Sequence, residues 1–165
     1  MKKLISLLML LLPLAVSAQN FGRVDLQAVM ESMPEYIKAT GELSALSKQY
    51  ENELTAMQQE IQRKYDEYEK SASTMNESKR QETETEISDM SQKLQQAYQD
   101  NQQALQKAQQ EKMQPLYEKV TAAIEAVGKS GNYIFIVQAN QMLYTSETLT
   151  TDVTDAVKAE INRLK

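Results

Sequence analysis

From Pro34 to about Val127 the chain repeats one pattern: an apolar side chain every three or four residues, with charged or amide side chains between. In the first half the apolar positions are Leu43, Leu46, Tyr50, Leu54, Met57, Ile61, Tyr65, Tyr68, Ala72 and Met75. In the second half they are Ile87, Met90, Leu94, Ala97, Leu105, Ala108, Leu116, Val120, Ile124 and Val127. That spacing lines one face of an α-helix. Between the halves, Ser71–Lys79 is small and polar, which predicts a reversal that turns the two stripes toward each other. A helix of nearly forty residues is about 55 Å long, too long for a small globule. The expected fold is mainly α with a small β core. A long antiparallel helical hairpin, or tentacle (34–127, tip near 71–79), is inserted between short strands at the two chain ends.

Local signals refine this plan. Ser32-Met33-Pro34-Glu35 has the form of a capping box with Pro in the first turn. Glu60–Lys64 and Asp66–Lys70 are spaced for ion pairs along one helix. Asn76 or Ser78 is expected to cap the returning helix. Pro115 falls inside that helix, removes a backbone bond and is expected to kink the arm. Gly128 is expected to close it in the left-handed conformation. Phe21–Asp25 reads as a short strand, followed by one or two helical turns at Leu26–Met30. Tyr133–Val137 is apolar on both faces and reads as a buried strand. Met142–Thr145 is expected to be its partner strand, and Thr148–Asp152 is a weaker candidate. Thr154 is expected to cap a final helix with Val157, Ile161 and Leu164 on one face.

The first eighteen residues stand apart. Met1-Lys2-Lys3 precedes a short apolar run and the small residues Val16-Ser17-Ala18, the form of a cleaved secretory signal rather than a membrane span. The expected organisation is therefore a signal peptide over 1–18, a sheet and oligomerisation region from 19–33 and 128–165, and the arm over 34–127. Loss of Lys2 and Lys3 leaves 16 basic against 23 acidic residues, moving the formal charge from −5 to −7. An acidic chain is a poor ligand for nucleic acid and is not drawn to anionic lipid by net charge. There is no His and no Cys, and no glycine-rich phosphate loop. The acids at Glu82, Glu84 and Glu86 alternate along a helix and read as a solvated face. No enzyme activity, metal or cofactor is expected. Three or four short strands with one helix bury too little to stand alone. A strand as apolar as Ile134–Val137 must find its cover on sister subunits.

The chain resembles the Skp/OmpH family of periplasmic chaperones over essentially its whole length after the signal. The residues that carry the resemblance are Gly22-Arg23-Val24-Asp25, Tyr133–Val137 with Ala139-Asn140 and Met142–Tyr144, and Asp152-Val153-Thr154 before the last helix. The resemblance implies a periplasmic homotrimer with a shared β core and three hairpins around a cavity that holds unfolded outer-membrane proteins. One departure is plain: well-known members are basic, and this chain is acidic, which argues against membrane or lipopolysaccharide contact.

The function expected is thus an ATP-independent holdase that prevents aggregation of unfolded outer-membrane proteins. The alternative is a structural or adaptor coiled-coil protein of the cell envelope. Met adapts to varied shapes and Tyr offers amphipathic area, so the client-contact candidates are Met57, Tyr65, Tyr68, Met75, Met90 and Tyr98. Tyr65 and Tyr68 cannot both be central on one stripe, nor can Ala97 and Tyr98. The oligomer-core candidates are Val24, Ile134, Phe135, Ile136, Val137, Leu143 and Tyr144.

Overall fold

The computed structural model describes residues 20–164; the expected export signal lies outside them. The elements in order are β1 (Asn20–Val24), α1 (Leu26–Glu31), α2 (Pro34–Ser71), α3 (Glu77–Ser130), β2 (Tyr133–Gln138), a short 3-10 turn (Ala139–Gln141), β3 (Thr150–Asp152) and α4 (Thr154–Arg163). The chain divides into two compact units, one from residues 20–29 and 122–164, the other from Met30–Thr121.

The first unit is built on a three-stranded parallel sheet with β1 in the centre, in the order β2-β1-β3. Parallel neighbours cannot be joined by a tight turn; the connection from β1 to β2 runs through the whole helical hairpin. Gly22 pairs with Ile136 and Val24 with Gln138. Gly22 is required here by close approach, because a Cβ on it would sit 2.8 Å from Ile136 Cγ1. Gly22 and Val24 are buried, and so are Val29, Ala123, Val127, Val153, Val157 and Ile161 from the helical pieces of this unit. Helix α4 is tied to the sheet at its start. Thr154 Oγ1 accepts from the Asp25 amide at 3.0 Å, and the Thr154 amide donates to Asp152 Oδ1 at 3.0 Å. Thr154 is therefore the first helical residue, not the cap; Val153 holds that place.

The second unit is the long antiparallel hairpin of α2 and α3. Its half-buried positions trace one seam. On α2 they include Leu43, Leu46, Tyr50, Leu54, Met57, Ile61, Lys64 and Tyr68; on α3, Ile87, Met90, Leu94, Ala97, Asn101, Ala104, Ala108 and Lys112. The reversal is short. Met75 closes a turn onto the Ser71 carbonyl at 3.1 Å, and Asn76 Oδ1 accepts from the Lys79 amide at 2.9 Å, so Asn76 is the cap of α3.

Several local expectations are corrected. The helix α2 has Met33 as its N-cap with no side-chain cap bond, so the Ser32–Glu35 box does not form; Glu35 instead accepts from Lys119 Nζ at 3.0 Å. Lys64 does not pair with Glu60 but crosses to Glu86 at 2.7 Å, and Asp66 accepts from Gln62. Gly128 stays helical, and the left-handed residue is Asn132 with φ 51°. Met142–Thr145 is irregular, and the third strand is Thr150–Asp152. Pro115 lies inside α3.

Candidate functional site

On the sheet unit, residues 133–149 place apolar side chains in water. Strand β2 is at one edge, and its outer backbone groups have no strand neighbour within the sheet. Ile134 is 56% exposed, Leu143 107%, Tyr144 82% and Leu149 72%. Phe135 is 48% exposed although its ring packs on Phe21 with centroids 4.8 Å apart. Phe21 and Phe135 are paired neighbours, as are Arg23 and Val137, so these four share one face of the sheet. Arg23 adds a polar element to that face. Its Nε is buried without a hydrogen bond and lies 3.7 Å from Asp152 Oδ2. The bonds from Thr154 hold the Asp152 carboxyl below its ordinary range, with Arg23 contributing less. Of the seven residues expected at an oligomer core, Val24 is buried. Ile136 and Val137 are half-buried, and Ile134, Phe135, Leu143 and Tyr144 are exposed.

On the arm unit, the candidate contact residues fall into two groups. Met57, Tyr68, Met75 and Met90 are half-buried, while Tyr65 and Tyr98 are exposed. Met57, Ile61 and Met90 meet in one shallow groove bordered by Glu60, Glu86 and Lys93. Tyr68 turns its hydroxyl to Glu84, which raises the phenol's pKa above its usual value. Two further large apolar side chains are exposed on the arm, Ile37 at 62% and Tyr117 at 56%. Neither falls on the apolar stripe; each directly follows a seam position, and that offset is the signal that finds them.

Polar contacts fix the register of the two helices. Near the tip, Lys64 Nζ donates to Glu86 and Tyr68 to Glu84; toward the other end, Lys112 donates to Glu42 and Lys119 to Glu35. As one partner advances along α2, the other retreats along α3 by nearly the same number of residues, as an antiparallel pair requires. Glu86 and Glu42 are held below the ordinary carboxylate range first by the hydrogen bonds from Lys64 and Lys112. Glu35 is lowered first by a backbone hydrogen bond and then by Lys119. The acids Glu84 and Glu86 thus work across the seam rather than only facing solvent. Among the described residues there is no cluster of acids that could hold a metal ion, and no helix is long and apolar enough to cross a membrane.

A small parallel sheet whose first crossover is a long helical hairpin defines a class of arm-bearing proteins, with exposed apolar side chains on the sheet's edge strand and a long two-helix surface. The chain belongs to the OmpH-like outer membrane protein family, whose model matches residues 20–161. The fold is shared with a Caulobacter crescentus CB15 crystal structure, described as an OmpH-like outer membrane chaperone. The TM-score is 0.74 at 14% identity, over 89% of this chain and 86% of that one. None of the curated proteins matches the sequence significantly.

Proposed function

We propose that this protein is an ATP-independent holdase of the periplasm. Copies associate through their sheet units as a homotrimer, and the arms hold unfolded outer-membrane proteins apart until they are delivered. The observation that carries the reading is the bare apolar surface of the sheet unit. Ile134, Phe135, Leu143 and Tyr144 are exposed in a single chain, and apolar surface of this kind marks an interaction site. A sheet edge left in water is also a template for wrong pairing, so self-association is the stable solution. Membership of the OmpH-like family and the likeness to a chain described as an outer membrane chaperone support the same reading.

The chemistry of a holdase asks only for surface. Many weak contacts along two helices keep client strands from meeting one another, with no reaction and no nucleotide. A chain without His or Cys suits that role.

Sedimentation of the processed chain is expected to give three times the chain mass. Stoichiometric amounts of it are expected to suppress aggregation of an outer-membrane barrel diluted from urea, without ATP. A monomer that leaves aggregation unchanged would overturn the proposal. A trimer that leaves aggregation unchanged would point to a structural adaptor of the envelope instead.

A further inference from the structure

The hairpin has two edges of different chemistry. Residues that directly follow a seam position form one edge of each helix, and residues that directly precede one form the other. A right-handed helix turns about 100° per residue. Reversing the chain direction therefore brings the "following" edges of α2 and α3 to the same side of the pair. The contacts agree for the opposite side. Glu60, Glu86 and Lys93, each just before a seam residue, border one groove, and Glu35 and Lys119, also just before seam residues, are hydrogen-bonded at 3.0 Å.

The preceding edge is charged along its length, with Glu42, Glu53, Glu67, Asp89, Asp100 and Lys107 in addition to those residues. The following edge is not. Between Ile37 and Tyr117 its charges are Glu51, Glu69 and Glu84, and most of its other positions are Ser, Thr or Gln, such as Ser44, Gln58, Gln95 and Gln102. All four exposed large apolar side chains of the described arm, Ile37, Tyr65, Tyr98 and Tyr117, lie on this edge.

Resting on the holdase reading, we infer that the sparsely charged, tyrosine-bearing edge of the hairpin is the client-docking surface, and that its occupant is an extended strand-length segment of an unfolded outer-membrane barrel. Ionic capture has little to work with on this edge, where Glu51, Glu69 and Glu84 are the charges. Gln, Ser and Thr side chains donate and accept, which matches the unpaired N–H and C=O groups of an extended backbone. Tyr rings cover apolar side chains and keep a hydroxyl for a polar neighbour. Tyr98 and Tyr117 are about 28 Å apart along α3 at 1.5 Å per residue, the span of about nine extended residues. A membrane-barrel strand is about 9–11 residues long.

The test compares two triple variants of the full processed chain, read by anisotropy titration of a labelled, urea-unfolded outer-membrane barrel. Tyr65→Ser with Tyr98→Ser and Tyr117→Ser is expected to raise Kd about tenfold or more, with helix content and sedimentation mass unchanged. The charged-edge control, Glu53→Gln with Lys93→Gln and Lys107→Gln, is expected to stay within about twofold. The affinity of the unaltered protein is expected to change less than about twofold between low and high salt, because few charges on this edge are there to be screened. A tyrosine variant that binds like the unaltered protein overturns the docking surface and leaves the holdase reading standing. Loss of binding together with loss of assembly mass makes this edge a contact between copies and overturns the inference too. An unaltered protein that binds no client removes the holdase reading and the inference with it.

Discussion

The sheet unit and the arm unit bury their apolar residues in opposite styles. The sheet unit has a fully buried core: Val29, Ala123 and Val157 are 0% exposed, and Val24 and Val153 are 2% exposed. It leaves Ile134, Phe135 and the segment after β2 open. The arm does neither. Among the described residues no side chain between Thr40 and Pro115 is fully buried, yet an apolar or aliphatic side chain sits at nearly every seam position. Two helices alone can only half-cover each other, so the arm's cohesion is spread thinly along its length. The sheet unit concentrates its stability and also its unmet need for cover. One unit leaves large apolar side chains without cover, which is what the proposed association of copies would use; the other presents long surface that is nowhere fully buried between Thr40 and Pro115.

Substitutions that break this contrast differ in size. The largest effect is expected from Ile134→Asp. Ile134 is exposed in the single chain, so the chain should still fold by circular dichroism. A charge buried at an interface between copies is strongly unfavourable, so sedimentation should show dissociation, with loss of aggregation suppression. Retained assembly would place the interface elsewhere. Next is Gly22→Ala. The new methyl group would meet Ile136 Cγ1 at 2.8 Å and Tyr133 Cδ1 at 3.3 Å, an overpacking that costs about 1–3 kcal/mol. A substitution at Gly41, where a Cβ meets nothing within 4 Å, should instead stabilise the arm slightly. Urea unfolding of the two variants checks the opposite signs.

A smaller effect, of opposite sign to Gly22→Ala, is expected in the middle of the arm. The Asn101 side-chain nitrogen is buried without a partner. Asn101→Leu removes that desolvated donor and adds apolar seam, so it should stabilise the hairpin by about 1 kcal/mol. Hydrogen exchange of the surrounding α3 amides should slow. The smallest effect is the response to acid. Glu35, Glu42 and Glu86 all have carboxyl groups lowered in the folded arm. Their contribution is full at neutral pH. It is lost as pH falls from the ordinary carboxylate value of about 4.3 toward the lowered folded values. All three are in water, so the change should be small. A Glu35→Gln, Glu42→Gln and Glu86→Gln variant should remove most of it from an acid titration of helix content.

What the sequence revealed follows the same division. The arms were legible because one local period of three and four residues runs through them without interruption, and the polar gap at Ser71–Asn76 marks the turn. Strands β1 and β2 were legible from Phe21–Val24 and the continuous apolar run Tyr133–Val137. The third strand was not. Met142–Tyr144 has the stronger strand composition, but Thr150–Asp152 is the segment that reaches β1, because non-local pairing with Phe21–Arg23 decides it. Hydropathy also misplaced one seam position. Lys64 occupies the half-buried place and Tyr65 stands outside, since a Lys stem can line a seam while its amine reaches Glu86. The cross-helix partners of Glu35, Glu42, Glu84 and Glu86 were equally invisible. Spacing along one helix cannot state which residue of the other helix stands opposite.

Leu143, at 107% exposure, stands wholly in water, and Tyr144 and Leu149 are largely exposed beside it in the chain. A solitary copy would be as adhesive as the molecules it is proposed to shelter, and would count among its own customers until siblings arrived. Dilution, harmless to most soluble proteins, would then be the condition that most endangers this one.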